Sequence, residues 1–117
     1  MRSAMDKIFA IDFDRTIADT DNPPKGHRIG SPLPNAKEAL ERFREAGHKI
    51  IIHSCRSNDG ERAIKVMTDY LNYFLIPYDE VWNQTGKPIA DFYIDDKAIE
   101  LRNNWDEVSE RVMKNNV

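Results

Sequence analysis

Lys7-Ile8-Phe9-Ala10-Ile11-Asp12-Phe13-Asp14-Arg15-Thr16 opens as a short apolar run rich in β-forming residues and closes on two carboxylates. Such a run predicts a strand over residues 7–13, buried on both faces. Two aspartates two positions apart on a strand point the same way, and at a strand end both can face a crevice while the backbone turns.

Working outward, the same pattern recurs. Residues 49–53, with Ile50, Ile51 and Ile52 in a row, predict a second buried strand. Residues 80–82 and 91–94 predict two shorter ones. Between them lie helical stripes. Ala36, Ala39, Leu40, Phe43 and Ala46 mark a helix over 35–46, with Gly47 as its C-cap. Ile64, Met67, Leu71 and Phe74 mark a second helix, opening at Ser57-Asn58, running to about Leu75 and stopped by Pro77. Residues 98 to about 114 read as mostly helical, with a break at Asn103-Asn104. The stretch 14–34 holds four prolines and reads as a loop or flap. Apolar strands alternating with helices predict an α/β fold, a Rossmann-like three-layer sandwich around a small parallel sheet.

At 117 residues the chain is expected to form a single domain, 1–117. It is 40% hydrophobic and 32% charged, which excludes wholesale disorder. A net charge of −3 makes it a poor general binder of nucleic-acid backbone. The single cysteine, Cys55, allows no intrachain disulfide, which suits a cytoplasmic location. No run of 18 apolar residues exists, so no transmembrane helix and no membrane partner is expected. Met1 to Met5 carries one basic residue without an apolar core and does not read as a secretory signal; Met5 is a second candidate start.

In parallel α/β sheets the reactive groups gather at the carboxyl ends of the strands. There the chain sets Asp12 and Asp14 after the first strand, Ser54 and Arg56 after the second, and Asp95-Asp96 after the fourth, which Lys87 precedes. Carboxylates so gathered repel one another, and a hard divalent cation relieves that repulsion; oxygen ligands suit Mg²⁺. One carboxylate can be a nucleophile while another moves protons. Asp19-Thr20-Asp21 repeats the Asp-x-Asp pattern but follows no strand. A cysteine-based phosphatase is excluded, because the arginine that Cys-x5-Arg requires would be Glu61. Cys55 reads instead as a buried strand-end residue. His27, His48 and His53 show no metal-ligand spacing, and His48 reads as exposed.

These motifs, in this order, resemble those of the haloacid dehalogenase (HAD) superfamily of phosphatases. Asp12-Phe13-Asp14-Arg15-Thr16 is similar to the first motif, Asp-x-Asp-x-Thr, with Arg15 where many members have Gly. Ile50 to Ser54 is similar to the second, Lys87 stands where the third motif's lysine belongs, and Asp95-Asp96 is similar to the acidic fourth. The resemblance implies an Mg²⁺-dependent phosphomonoester hydrolase of the small capless branch, working through an aspartyl-phosphate. It makes Asp12 the nucleophile and Asp14 the acid and base. It gives the metal to Asp12, Asp14 and Asp96, with Asp95 as helper. It gives phosphoryl contacts to Ser54 and Lys87, with Phe13 and Thr16 of the first motif beside them; Arg56, next to Ser54 and ahead of a helix start where anions bind, reads either as a phosphate contact or as half of a surface ion pair.

Neither interval between motifs is long enough for a cap domain with its own core. An open site with Lys25, His27 and Arg28 on the flap suggests a bulky or polymeric phosphorylated substrate, nucleic acid entering only as a phosphorylated end. The alternative is a small sugar phosphate or nucleotide, with a partner subunit covering the site; oligomerisation is left open. Two non-enzyme readings remain. A phospho-acceptor receiver has these elements in a different order, and no residue supports an idle binding module.

Overall fold

The computed structural model describes residues 6–115. The segment Met1 to Met5 lies outside the described residues. The architecture is α/β, with a four-stranded parallel sheet and three helices, compatible with a Rossmann-like three-layer sandwich. In chain order the elements are β1 (Ile8–Ile11), α1 (Ala36–Glu45), β2 (Lys49–Ile52), α2 (Glu61–Tyr73), β3 (Glu80–Val81), β4 (Phe92–Ile94) and α3 (Trp105–Asn115). A short 3-10 helix, Cys55–Asp59, precedes α2.

The strands lie in the order β3-β2-β1-β4, so β1 is central and carries the Asp12 motif between two parallel neighbours. Ile11 sits level with Ile52 on one side and Ile94 on the other. That register brings the carboxyl ends of β1, β2 and β4 to one edge. The steps β1 to β2 and β2 to β3 run in the same direction. Right-handed crossovers therefore put α1 and α2 on the same face of the sheet. The core agrees: Ile11, Ile50 and Ile52 pack with Leu40 of α1 and with Met67 and Leu71 of α2. On the opposite face the segment before β4 crosses the sheet, with Pro88 fully buried and its carbonyl accepting from the Tyr93 hydroxyl at 2.6 Å.

Local chemistry explains most boundaries. The α1 stripe ends in a Schellman closure: Gly47, at φ 90°, donates to the Arg44 carbonyl, and His48 donates to that of Phe43. β1 ends at Ile11, after which the Asp12 N–H still donates to the Ile94 carbonyl at 3.0 Å. The backbone then folds tightly, and the Phe13 carbonyl accepts from the N–H groups of Thr16, Ile17 and Ala18. Arg15 takes φ 60° in this turn, a left-handed conformation that glycine adopts more readily.

Four expectations need correction. α2 begins at Glu61 rather than at Ser57-Asn58, because the Ser54 side chain accepts from the Arg56 N–H and first winds residues 55–59 into a 3-10 turn. The last helix begins at Trp105, not at residue 98; Asn103 has φ 56°, and the Asn104 side chain accepts from the Arg102 N–H, which breaks any earlier helix. Cys55 is exposed, because it starts the 3-10 turn instead of ending the strand. His48 is half-buried, its Nδ1 accepting from the Lys7 N–H at 3.0 Å. Among the described residues no helix is long and apolar enough to cross a membrane.

Candidate active site

Asp12 stands at the carboxyl edge of the central strand. Its Oδ1 accepts from the N–H of Phe13 at 2.8 Å, which fixes the carboxylate beside the turn. β4 delivers Asp95 and Asp96 to the same place. Carboxylate oxygens of Asp12, Asp95 and Asp96 all lie within 4.8 Å of one another. An all-oxygen set of this kind suits a hard divalent cation.

The electrostatics carry the strain of that gathering. Burial pushes the Asp12 carboxyl above its ordinary value; the Phe13 hydrogen bond opposes the rise, and the charges of Asp95, Asp14 and Asp96 add to it. Asp96 behaves oppositely. Desolvation works against its charge, but the hydrogen bond and charge of Arg15 outweigh it and hold the carboxyl below the ordinary value. Arg15 Nε lies 3.1 Å from Asp96 Oδ2. Asp95 accepts from the Lys97 N–H at 2.8 Å, so its orientation is set by the turn that follows.

Asp14 is at the same edge but outside the triplet. Arg56 Nε lies 2.9 Å from both of its carboxylate oxygens, and a terminal guanidinium nitrogen lies 2.8 Å from Oδ1. The same guanidinium sits over the Phe13 ring, 5.6 Å from its centroid. Arg56 therefore faces the site, although its partner in this state is Asp14.

The remaining predicted residues divide. Ser54 is buried and lines the pocket beside Asp12, its hydroxyl capping the 3-10 turn. Lys87 lines a small cavity of about 190 Å³ with Asp12, His53 and Asp95, its ammonium 4.5 Å from the centre of the Tyr93 ring. The Thr16 hydroxyl is buried without a hydrogen-bond partner among the described residues. Phe13 lies beneath the site: its side chain is fully buried in the core, edge-on to Tyr70, and its N–H is taken by Asp12. The flap cations sit elsewhere than expected. His27 and Arg28 line a groove against Val66, Tyr70 and Tyr73 of α2, because the Tyr70 hydroxyl ties the flap down through the Gly30 carbonyl at 2.7 Å.

A second pocket wall escaped the sequence reading. The pocket of about 310 Å³ beside Asp12 is also lined by His53, Ser57, Asn58, Trp82, Asn83 and Gln84. For His53 the signal was its place at a strand end next to Ser54. The others follow β2 and β3, and no motif marks them.

No protein-family model matches the chain, and no curated protein matches it. Among solved structures it is similar to a conserved protein from Bacteroides thetaiotaomicron. The two share 22% identity over 96% of this chain and 93% of the other, with a TM-score of 0.66. At that identity the likeness shows a common fold, a small parallel α/β sheet.

Proposed function

We propose that the chain is an Mg²⁺-dependent phosphomonoester hydrolase of the HAD type, without a cap. The observation that carries this reading is the meeting of Asp12, Asp95 and Asp96 within 4.8 Å at the carboxyl edge of the central strand. Ser54 and Lys87 line the cavities on either side of Asp12. The donor chemistry fits Mg²⁺: Asp12, Asp95 and Asp96 would hold it, with the Asp14 backbone carbonyl. When bound, the ion offsets the repulsion between phosphate and carboxylates.

The Asp12 carboxylate attacks phosphorus and forms an acyl phosphate, and the ester P–O bond breaks in line. Asp14 gives its proton to the departing oxygen; it then takes one from the water that attacks phosphorus, the bond from phosphorus to the Asp12 oxygen breaks, and inorganic phosphate leaves with the Asp12 carboxylate restored. Arg56 first exchanges Asp14 for a phosphoryl oxygen, which leaves that carboxyl free to carry a proton. Ser54 and Lys87 hold and neutralise the phosphoryl group.

On substrate size, the pocket of about 310 Å³ beside Asp12, and the position of His27 and Arg28 in another groove, favour the small-metabolite reading over the polymeric one. The test is turnover of an aryl phosphate with Mg²⁺ and with excess chelator, together with mass spectrometry for a fluoride-trapped phosphoryl group on Asp12. Chelator-resistant turnover, or a phosphoryl group on another residue, overturns the proposal.

A further inference from the structure

The pocket beside Asp12 has walls of uncharged polar groups. Ser57 and Asn58 come from the 3-10 helix on one side; Trp82, Asn83, Gln84 and Gly86 come from the turn after β3 on the other. The Trp82 indole N–H donates to the Gly86 carbonyl at 2.9 Å, closing that turn on itself and fixing the ring as a wall. The Ser57 hydroxyl is buried and has no hydrogen-bond partner among the described residues, although buried polar groups are nearly always paired. Among the described residues no lysine or arginine lines this pocket, and its acidic members are Asp12 and Asp95.

We infer that this pocket is the leaving-group subsite, and that it takes a small uncharged polyhydroxylated group, a sugar or polyol, esterified to the phosphate that Asp12 receives. The inference rests on the phosphatase reading above. Each carboxamide of Asn58, Asn83 and Gln84 offers both donors and an acceptor, and each hydroxyl of a polyol both gives and accepts. A turn of the Ser57 side chain into the pocket would give its orphaned hydroxyl a partner in the same way. With Asp12 and Asp95 committed to the metal, a leaving group bearing a second phosphate or a carboxylate would find no lysine or arginine in this lining to pair with, and its lost hydration would go uncompensated, which discriminates by charge. The volume stands at the lower end of the roughly 300–1,000 Å³ typical of ligand cavities and must also hold the phosphoryl group between Asp12 and Ser54, which suits a small leaving group of about five or six carbons.

The experiment compares kcat/KM with Mg²⁺ for sugar and polyol monophosphates, sugar bisphosphates, nucleoside monophosphates, a 5′-phosphorylated oligonucleotide and p-nitrophenyl phosphate. The best sugar or polyol monophosphate should exceed the bisphosphates and the oligonucleotide by about 100-fold. Asn83→Ala and Gln84→Ala should lower the ratio of its kcat/KM to that of p-nitrophenyl phosphate by about tenfold, and Asn83→Lys should shift preference toward the bisphosphate by a similar factor. Hydrolysis of p-nitrophenyl phosphate with a nucleotide, bisphosphate or oligonucleotide as the best ester overturns the subsite and leaves the reaction standing. An unchanged ratio in both alanine variants does the same. Hydrolysis of none of the esters overturns the phosphatase reading and the subsite with it.

Discussion

Arg56 grips Asp14 through both carboxylate oxygens, with Nε 2.9 Å from each. The two residues are 42 positions apart and come from the ends of different strands. The contact couples the turn after β1 to the turn after β2. It also keeps the Asp14 carboxylate out of the Asp12, Asp95 and Asp96 triplet.

Breaking this pair should cost both catalysis and stability. Arg56→Gln is expected to lower kcat/KM for an aryl phosphate by about 10- to 100-fold, because phosphate loses a bidentate partner. A denaturation double-mutant cycle with Asp14→Asn should give a coupling of about 1 kcal/mol, modest because both side chains remain partly exposed. Additive effects would show that the pair is incidental.

Asp12→Asn should reduce turnover by about 10³-fold or more, since the amide is a poor nucleophile. The same substitution should stabilise the metal-free protein at neutral pH. The folded-state pKa of Asp12 is raised, so the native state prefers the protonated form and loses stability as pH rises through that value. Asn removes this cost, while its side-chain oxygen still accepts from Phe13. Chemical denaturation in chelator should show the variant more stable at pH 7 and the difference closing toward about pH 3.

Arg15 competes with any cation for Asp96. Arg15→Gln should tighten Mg²⁺ binding, measured by calorimetry, by several-fold. In chelator the same variant should lose stability at neutral pH. The lowered folded pKa of Asp96 contributes stability above the ordinary carboxylate value, and that contribution fades as pH falls. Weaker Mg²⁺ binding by the variant would mean that Arg15 orients Asp96 for the metal and does not compete with it.

The flap offers a test of packing. A Cβ built on Gly30 would lie 2.4 Å from the Asp19 carbonyl oxygen, a backbone atom that cannot swing aside. Gly30→Ala should therefore destabilise the protein by about 1–3 kcal/mol, measured by thermal or chemical denaturation. A neutral result would mean that the flap shifts freely against α2.

How far the sequence reached can be judged residue by residue. The isoleucine run of β2 and the stripe of α2 were legible because periodicity and burial follow from the same side chains. The break at Asn103-Asn104 was legible, but residues 98–102 were misread because their composition permits a helix that the backbone at Asn103 and the Asn104 side chain do not let form. Asp12, Asp95 and Asp96 were legible as a group because parallel strands must deliver their carboxyl ends to one edge. The turning of Asp14 toward Arg56 was not, because a rotamer choice between two nearby partners leaves no trace in spacing. The docking of His27 and Arg28 against α2 follows from long-range contacts such as that from Tyr70 to Gly30, which joins residues 40 apart.

The strand order has one more consequence. Asp12 rides on the central strand, paired along both edges, whereas Asp95 and Asp96 follow a three-residue strand at the rim of the sheet, paired along one edge only. Rim strands open by fluctuations much smaller than global unfolding. On warming, the acidic triplet should come apart from the β4 side first, leaving Asp12, Asp14 and Ser54 still in place. The temperature at which the chain stops gripping a cation would then lie below the temperature at which it melts, and amide exchange at residues 92–96 would run ahead of that at 9–12.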